Sequence, residues 1–507
     1  MQLTTRPLAI GVLVALPGSS VDSKNCPKGP TVTAAAGAIQ GIATQVPDSD
    51  VTVNKFLGIP FAEPPVRFGA PKAFSKPFDS TFKAINLPPS CLPQISANGT
   101  AFSLTPEPPE SNEDCLYLNV YTPAMKAPRG GRAVMYWLYG GNLQFGWSGT
   151  PAYDGSPLAA MEDVVVVTVN YRTNAPEVFG FPNASELPKG KQNPGFLDQR
   201  LGLSWVQQNI AAFGGDPKKV TIFGESAGGY SVKQLLAQPP DPLPFRAAIM
   251  ESEAAGFQNG SQSWTRFSRN LGCTGDTTLE CMRKVPVAQL TAALSTGTGL
   301  SFGPVADDTT QSADVTKQIN AKTLADVPII IGTNAEEGGA FDSLNTDPSL
   351  YLATVFPGNA SAAQAAADAY PAGSRNTAAV MTDFTFQCPA ARIAQLTSDI
   401  GRPIWRYYFT YPEGRAIHGI DIRYVFGTYD RTGATPYQAE LSRYMMRAWA
   451  SFAEDPSKGP GWAQVGSTSK DVAVLGSNGT SAPVMRAPAG LDTRCSVFAD
   501  ALARTGI

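Results

Sequence analysis

The sequence predicts an α/β fold, with a large, mostly parallel central sheet flanked by helices. Three observations predict it. Short, continuous apolar runs rich in β-branched and aromatic residues recur along the chain, the pattern of strands buried on both faces. Helical patterns lie between them, and strands alternating with helices build a parallel sheet. A hydrophobic content of 43% against 16% charged residues, over 507 residues, supplies a large core and argues against disorder.

Taken in order, the strands are Ala133–Tyr139, Val164–Val169, Val220–Phe223, Ala247–Met250, Val327–Ile331 and Ile404–Phe409. A helical pattern runs from Tyr230 to Leu236. Another runs from Ala439 to Glu454, where Leu441, Tyr444, Met445, Ala448, Trp449 and Phe452 fall on one helix face and Asp455-Pro456 ends it. No repeat, low-complexity block or linker divides the chain, so residues 21–507 are read as a single domain. Ligands of open sheets bind beyond the carboxyl ends of the strands, and the chemistry is sought there.

Several function classes are excluded early. Lysine and arginine total 39 against 42 acidic residues, a net charge of −3, and there is no long basic run. That balance does not fit a nucleic-acid binder working through phosphate contacts. The only histidine is His418 and no Cys-x-x-Cys pair stands near it, so no metal site is expected. Neither G-x-G-x-x-G nor G-x-x-x-x-G-K-[ST] occurs, and no cofactor is expected.

Residues 1–20 read as a secretory signal: Arg6 in a short polar start, Leu8 to Leu16 almost wholly apolar, then Pro17-Gly-Ser-Ser20. The apolar run is too short to span a bilayer, and no later stretch is long and uncharged enough to do so. An extracellular protein is therefore expected. Seven cysteines fit an oxidising compartment. Cys91 and Cys115 flank a stretch rich in Pro and Glu, Cys273 and Cys281 bracket a short polar loop, and Cys388 and Cys495 are left for a long-range closure. Cys26 is the odd one, and sequence alone leaves the connectivity open. Asn98, Asn183, Asn259, Asn359 and Asn478 each begin an Asn-x-Ser/Thr triplet, which agrees with secretion.

Gly224-Glu-Ser-Ala-Gly228 follows directly on the strand Val220–Phe223 and precedes the helical pattern from Tyr230. In this strand–turn–helix context G-x-S-x-G places a serine on a tight, strained turn, with small residues where backbones crowd, and makes Ser226 a candidate nucleophile. The helix that follows directs its N-terminus at the reacting oxygen, where negative charge is favoured.

At this point the chain resembles the type-B carboxylesterase family, which includes carboxylesterases, cholinesterases and several fungal lipases. Matching stretches beyond the elbow are Phe56-Leu-Gly-Ile-Pro-Phe-Ala-Glu-Pro-Pro65, Glu113-Asp-Cys-Leu-Tyr-Leu-Asn119, Asn170-Tyr-Arg172, Leu197-Asp-Gln-Arg-Leu201 and Asn209-Ile-Ala-Ala-Phe-Gly-Gly-Asp-Pro217. The resemblance runs from about residue 30 to the C-terminus and implies the α/β-hydrolase fold.

A serine hydroxyl needs a general base beside it, and only His418 is available. Its segment, Ile417 to Gly427, resembles the family's histidine loop. In α/β-hydrolases the chain order is serine, acid, histidine. The resemblance implies that the acid is the glutamate immediately before glycine in Gly332-Thr-Asn-Ala-Glu-Glu-Gly338, which is Glu337; Glu336 is the alternative. Tyr139-Gly-Gly-Asn-Leu143 resembles the family's oxyanion loop, with Gly141, Asn142 and Ala227 giving their backbone N–H groups. Asn142 stands where the family usually has glycine. Asparagine tolerates positive φ, so the donor survives while the side chain crowds the acyl site.

In cholinesterases the loop closed by the first disulfide carries a tryptophan that attracts a quaternary ammonium. Between Cys91 and Cys115 there is no tryptophan, and Pro93, Pro106, Pro108 and Pro109 leave no amphipathic helix to act as a lipase lid. The expected partner is a small, soluble ester, hydrolysed through an acyl-enzyme. Acyl transfer to an alcohol or lactonisation by the same triad is the alternative, and a non-catalytic adhesion protein of this fold is a further one.

Overall fold

A computed structural model describes residues 29–92, 108, 110–173, 179–254, 256, 262–296, 300–341, 347–371, 376–411, 414–477 and 479–507. The expected signal segment, Cys26, Asn98, Asn259, Asn478 and most of the loop between Cys91 and Cys115 lie outside these residues.

Among the described residues the main sheet has eleven strands. They are β1 (Ile42–Thr44), β2 (Val53–Pro60), β3 (Tyr117–Pro123), β4 (Arg132–Leu138), β5 (Val165–Val169), β6 (Gly215–Glu225), β7 (Ala247–Glu251), β8 (Ile329–Asn334), β9 (Ile404–Phe409), β10 (Val472–Leu475) and β11 (Val484–Arg486). Across the sheet the order is β11-β10-β9-β8-β7-β6-β4-β5-β3-β2-β1. Every neighbouring pair from β10 to β5 is parallel. Antiparallel pairs finish both edges: β10 with β11 on one side, and β5 with β3, β3 with β2 and β2 with β1 on the other. Because β4 lies between β5 and β6, the chain reverses its direction of travel across the sheet there. The carboxyl ends of β4 and β6 therefore border a switch point, where open sheets leave a crevice.

All six strands expected from the sequence exist. The one read from Val327 begins instead at Ile329, since Pro328 has no N–H to give a ladder. The edge strands β1–β3, β10 and β11 are additions. Alternate residues of β4 separate the two faces: Val134, Tyr136 and Leu138 pack into one core, Ala133, Met135 and Trp137 into the other. The first core is covered by α2 (Pro194–Asn209) and much of α3 (Ala227–Ala237), the second by α1 (Ser156–Glu162) and the long helix Pro436–Glu454.

That long helix starts at Pro436, three residues before the expected Ala439. Thr435 accepts the N–H of Gln438, the Gln438 side chain accepts the N–H of Thr435, and Pro436 occupies the first turn. Disulfides join Cys91 to Cys115, Cys273 to Cys281 and Cys388 to Cys495. Among the described sequon asparagines, Asn359 is exposed, whereas Nδ2 of Asn183 is buried. No helix among the described residues is long and apolar enough to cross a membrane.

Candidate active site

Ser226 follows the last residue of β6 and precedes the first of α3, at φ 56° and ψ −119°. For a residue with a side chain this is a strained conformation, held only where the surroundings dictate it. The surroundings are explicit. Ser226 N–H donates to the carbonyl oxygen of Glu251 on β7 at 2.9 Å, and its own carbonyl accepts the N–H of Tyr230 at 2.8 Å. Both glycines of the motif face the end of β4. A Cβ on Gly224 would stand 2.6 Å from the carbonyl oxygen of Leu138, and one on Gly228 would collide with that same oxygen. The elbow therefore forms because this sequence lets α3 begin directly against β4.

The acid and the histidine come from the next two strands. After β8 the chain turns through Ala335 and Glu336 into a 3₁₀ turn, Glu337–Ala340. After β9 it returns as the loop bearing His418. The two loops are stitched by the N–H of Glu336 donating to the carbonyl of Ala416 at 2.9 Å. Glu337 Oε2 lies 2.7 Å from His418 Nδ1, and both residues are buried. Glu337 Oε1 accepts the N–H of Asn334 at 2.6 Å. Glu336 turns outward to Arg415, 2.8 Å away, with both side chains about half exposed at 47% and 55%. The glutamate in contact with His418 is thus Glu337.

His418 Nε2 faces the elbow from the other side of the ring, 3.2 Å from Oε1 of Glu225, the residue immediately before Ser226. Glu225, Glu337 and Asp421 are buried around this one imidazole, with Glu251 buried behind them. Burial alone drives the imidazole down. Glu225, then Glu337 and Asp421, outweigh it and lift it to about 9. Burial pushes Glu225 up to about 8, against the pull of His418 and with help from Asp421 and Glu337. Burial and Glu337 push Asp421 up to about 6, and burial and Asp421 raise Glu251 well above the carboxylate range. Such a cluster sheds charge by holding protons.

The pairing has a measurable consequence. Replacing Glu225 by glutamine keeps the size and removes the charge that most lifts the imidazole. A general base works only when neutral, so the acid limb of the kcat/KM profile of Glu225→Gln is expected at lower pH than in the wild type. A pH–rate titration checks this; an unmoved limb would mean that Glu225 carries no charge while His418 titrates.

Glu225, Asp421 and Asn334 were not singled out in the sequence. Asn334 ties the two loops together: beyond its N–H to Glu337, its Nδ2 donates to the carbonyl of Ile417 at 2.9 Å and to Oδ1 of Asp421 at 3.0 Å. The available signals were position alone. Glu225 is the second residue of the serine motif, and Asn334 and Asp421 each stand three residues from a candidate triad member.

The candidate oxyanion loop leaves β4 through Tyr139, which stacks on Tyr171 with ring centroids 4.2 Å apart. Each of these hydroxyls donates to the other's carbonyl oxygen, at 2.7 and 2.6 Å, fixing the root of the loop. Gly141, Asn142 and Leu143 follow at φ +106°, +58° and +57°. Asn142 takes the positive φ expected of it and is exposed. The carbonyl of Gly141 accepts the N–H groups of Gln144 and Phe145. Among the described residues no protein acceptor meets the N–H of Gly141, Asn142 or Ala227, so all three donors are uncommitted. Also among the described residues, no group of three His, Cys, Asp or Glu side chains is arranged to hold a metal ion.

A strained serine, a buried carboxylate–imidazole pair whose Nε2 meets the residue before that serine, and open N–H donors are the elements that acyl transfer uses. Comparison with known proteins agrees. The model of the carboxylesterase family matches residues 28–354 and 358–489. The chain is 34% identical to a para-nitrobenzyl esterase of Bacillus subtilis over 79% of this chain and 86% of that protein. It is 32% identical to a cholinesterase of Mus musculus, over 83% and 78% of the two chains. A solved PNB esterase superposes with a TM-score of 0.77 at 32% identity, covering 92% of this chain and 99% of the other.

Proposed function

Because the chain belongs to the carboxylesterase family and is a carboxylic-ester hydrolase, we propose that it is a secreted serine esterase of soluble esters, acting through Ser226, His418 and Glu337. The observation that carries this reading is the 2.7 Å contact between Glu337 and His418 Nδ1, on a ring whose Nε2 faces the elbow. The apolar run in residues 1–20 and the three disulfides support secretion.

In the cycle, His418 Nε2 takes the proton of Ser226 as Oγ attacks the ester carbonyl. Charge moves onto the carbonyl oxygen, where the N–H groups of Gly141, Asn142 and Ala227 receive it. Collapse expels the alcohol, which leaves with the proton from Nε2. Water then gives a proton to the same nitrogen as its oxygen attacks the acyl carbon; the bond to Ser226 Oγ breaks, Oγ takes the proton back from Nε2, and the acid is released. Glu337 holds the imidazole in the tautomer with Nδ1–H and offsets the positive charge it gains.

Fluorophosphonate labelling followed by peptide mass spectrometry is expected to mark Ser226. On a panel of esters of graded acyl length the product is expected to be the free acid from soluble substrates, even with competing alcohols present. Label elsewhere, or none, would refute the triad. An ester formed with the added alcohol in place of free acid would make the protein an acyltransferase.

A further inference from the structure

Between α4 (Thr377–Met381) and α5 (Cys388–Asp399) the chain widens into a π-helical turn, Thr382–Gln387. Such turns are rare and often mark functional sites. An i→i+5 turn keeps residues four and five apart on one face, whereas an α-helix at 3.6 residues per turn swings the fifth away. Here that face bears Thr382, Phe386 and Gln387, all buried.

Each of the three meets the acid–base pair or its support. Thr382 Oγ1 accepts the N–H of Gly338, the residue after Glu337, at 2.9 Å, and donates to the carbonyl of Ala378 at 2.9 Å. The Phe386 ring lies against the imidazole of His418, with centroids 4.6 Å apart and planes inclined at 44°. Gln387 Oε1 accepts from Thr333 Oγ1 at 3.2 Å, one residue before Asn334, whose N–H holds Glu337.

We propose that this π-turn positions the catalytic pair: Thr382 fixes the loop that carries the Glu337 carboxylate, and Phe386 orients and shields the His418 ring. The proposal rests on the Ser226–His418–Glu337 reading above. Without the Thr382 hydroxyl, the Gly338 N–H is left buried and unpaired, and Glu337 loses its fixed distance to Nδ1.

The two side chains act on the imidazole in opposite senses. It is faced by Glu225 from β6, Glu337 from the acid loop and Asp421 from its own turn. Behind Asp421 stand Glu251 of β7 and Tyr407 of β9. Loosening Glu337 removes one upward influence on the ring. Removing the Phe386 ring admits water and so relieves the downward influence of burial.

The test uses the full chain and a short-chain nitrophenyl ester. Thr382→Val is expected to lower kcat about ten- to a hundredfold, the scale of one stranded buried donor, with KM nearly unchanged and the acid limb of the profile at lower pH. Thr382→Ser, which keeps the hydroxyl, is expected to restore both. Phe386→Ala is expected to move the acid limb to higher pH. Thermal melting establishes that each variant is folded; should Thr382→Val not fold, Phe386→Ala and Thr382→Ser decide. Limbs that move the same way, or a profile that does not move in folded variants, would overturn the proposal. The two readings fail separately. A wild type whose Ser226 resists fluorophosphonate defeats the triad, whereas a labelled wild type with indifferent variants defeats only the role of the π-turn.

Discussion

Ser226→Ala is expected to lose kcat by about 10⁶-fold, the scale on which a triad fails without its serine. His418→Ala should match it, and the double variant should be hardly worse than either, because the two groups act on one proton. The geometry explains why no substitute steps in. His418 is the only histidine in the chain, and its Nδ1 is occupied by Glu337 at 2.7 Å. Ser226→Ala should not unfold the protein, since Ser226 is held by backbone bonds to Glu251 and Tyr230. Steady-state kinetics and a melting curve on each variant check both halves. A folded Ser226→Ala enzyme with substantial turnover would refute the nucleophile.

Glu337→Gln is expected to cost about 10⁴-fold in kcat, because an amide cannot both hold the Nδ1–H tautomer and balance the imidazolium. Its neighbour provides the control. Glu336 pairs with Arg415 at 2.8 Å in a half-exposed setting, where an ion pair contributes about 0–1 kcal/mol. Glu336→Gln should therefore stay within a few-fold of wild type. The reverse result, a crippled Glu336→Gln beside an active Glu337→Gln, would reassign the acid.

Much of the scaffold was legible in the sequence because its signals are local. A strand such as Ile404–Phe409, buried along nearly its whole length, has to be apolar at almost every position, and its bounds were read to the residue. The serine elbow needs small residues at fixed offsets, so it shows as five letters. The edge strands were less visible because they are short or carry polar residues, as in Ile42–Thr44. Of the electrostatic surroundings of His418, only Glu337 was legible. Glu225, Glu251, Asp421 and Asn334 come from four separate segments, and their places beside motif residues do not foretell that the sheet will gather them into one buried cluster. The π-turn was hidden for a different reason: one widened turn changes no residue type, and what it touches lies some forty residues earlier in the chain.

The bridge from Cys388 to Cys495 begins at the end of that π-turn and closes a separation of 107 residues. His418, the proposed general base, lies inside this covalent ring. For a loop of about 100 residues, closure removes about 4.7 kcal/mol of chain entropy from the unfolded state. Even when the chain is denatured, the imidazole stays tethered within a bounded distance of the turn it must dock against. Reassembly of the base with its support is thus a search inside a closed loop, not along an open chain.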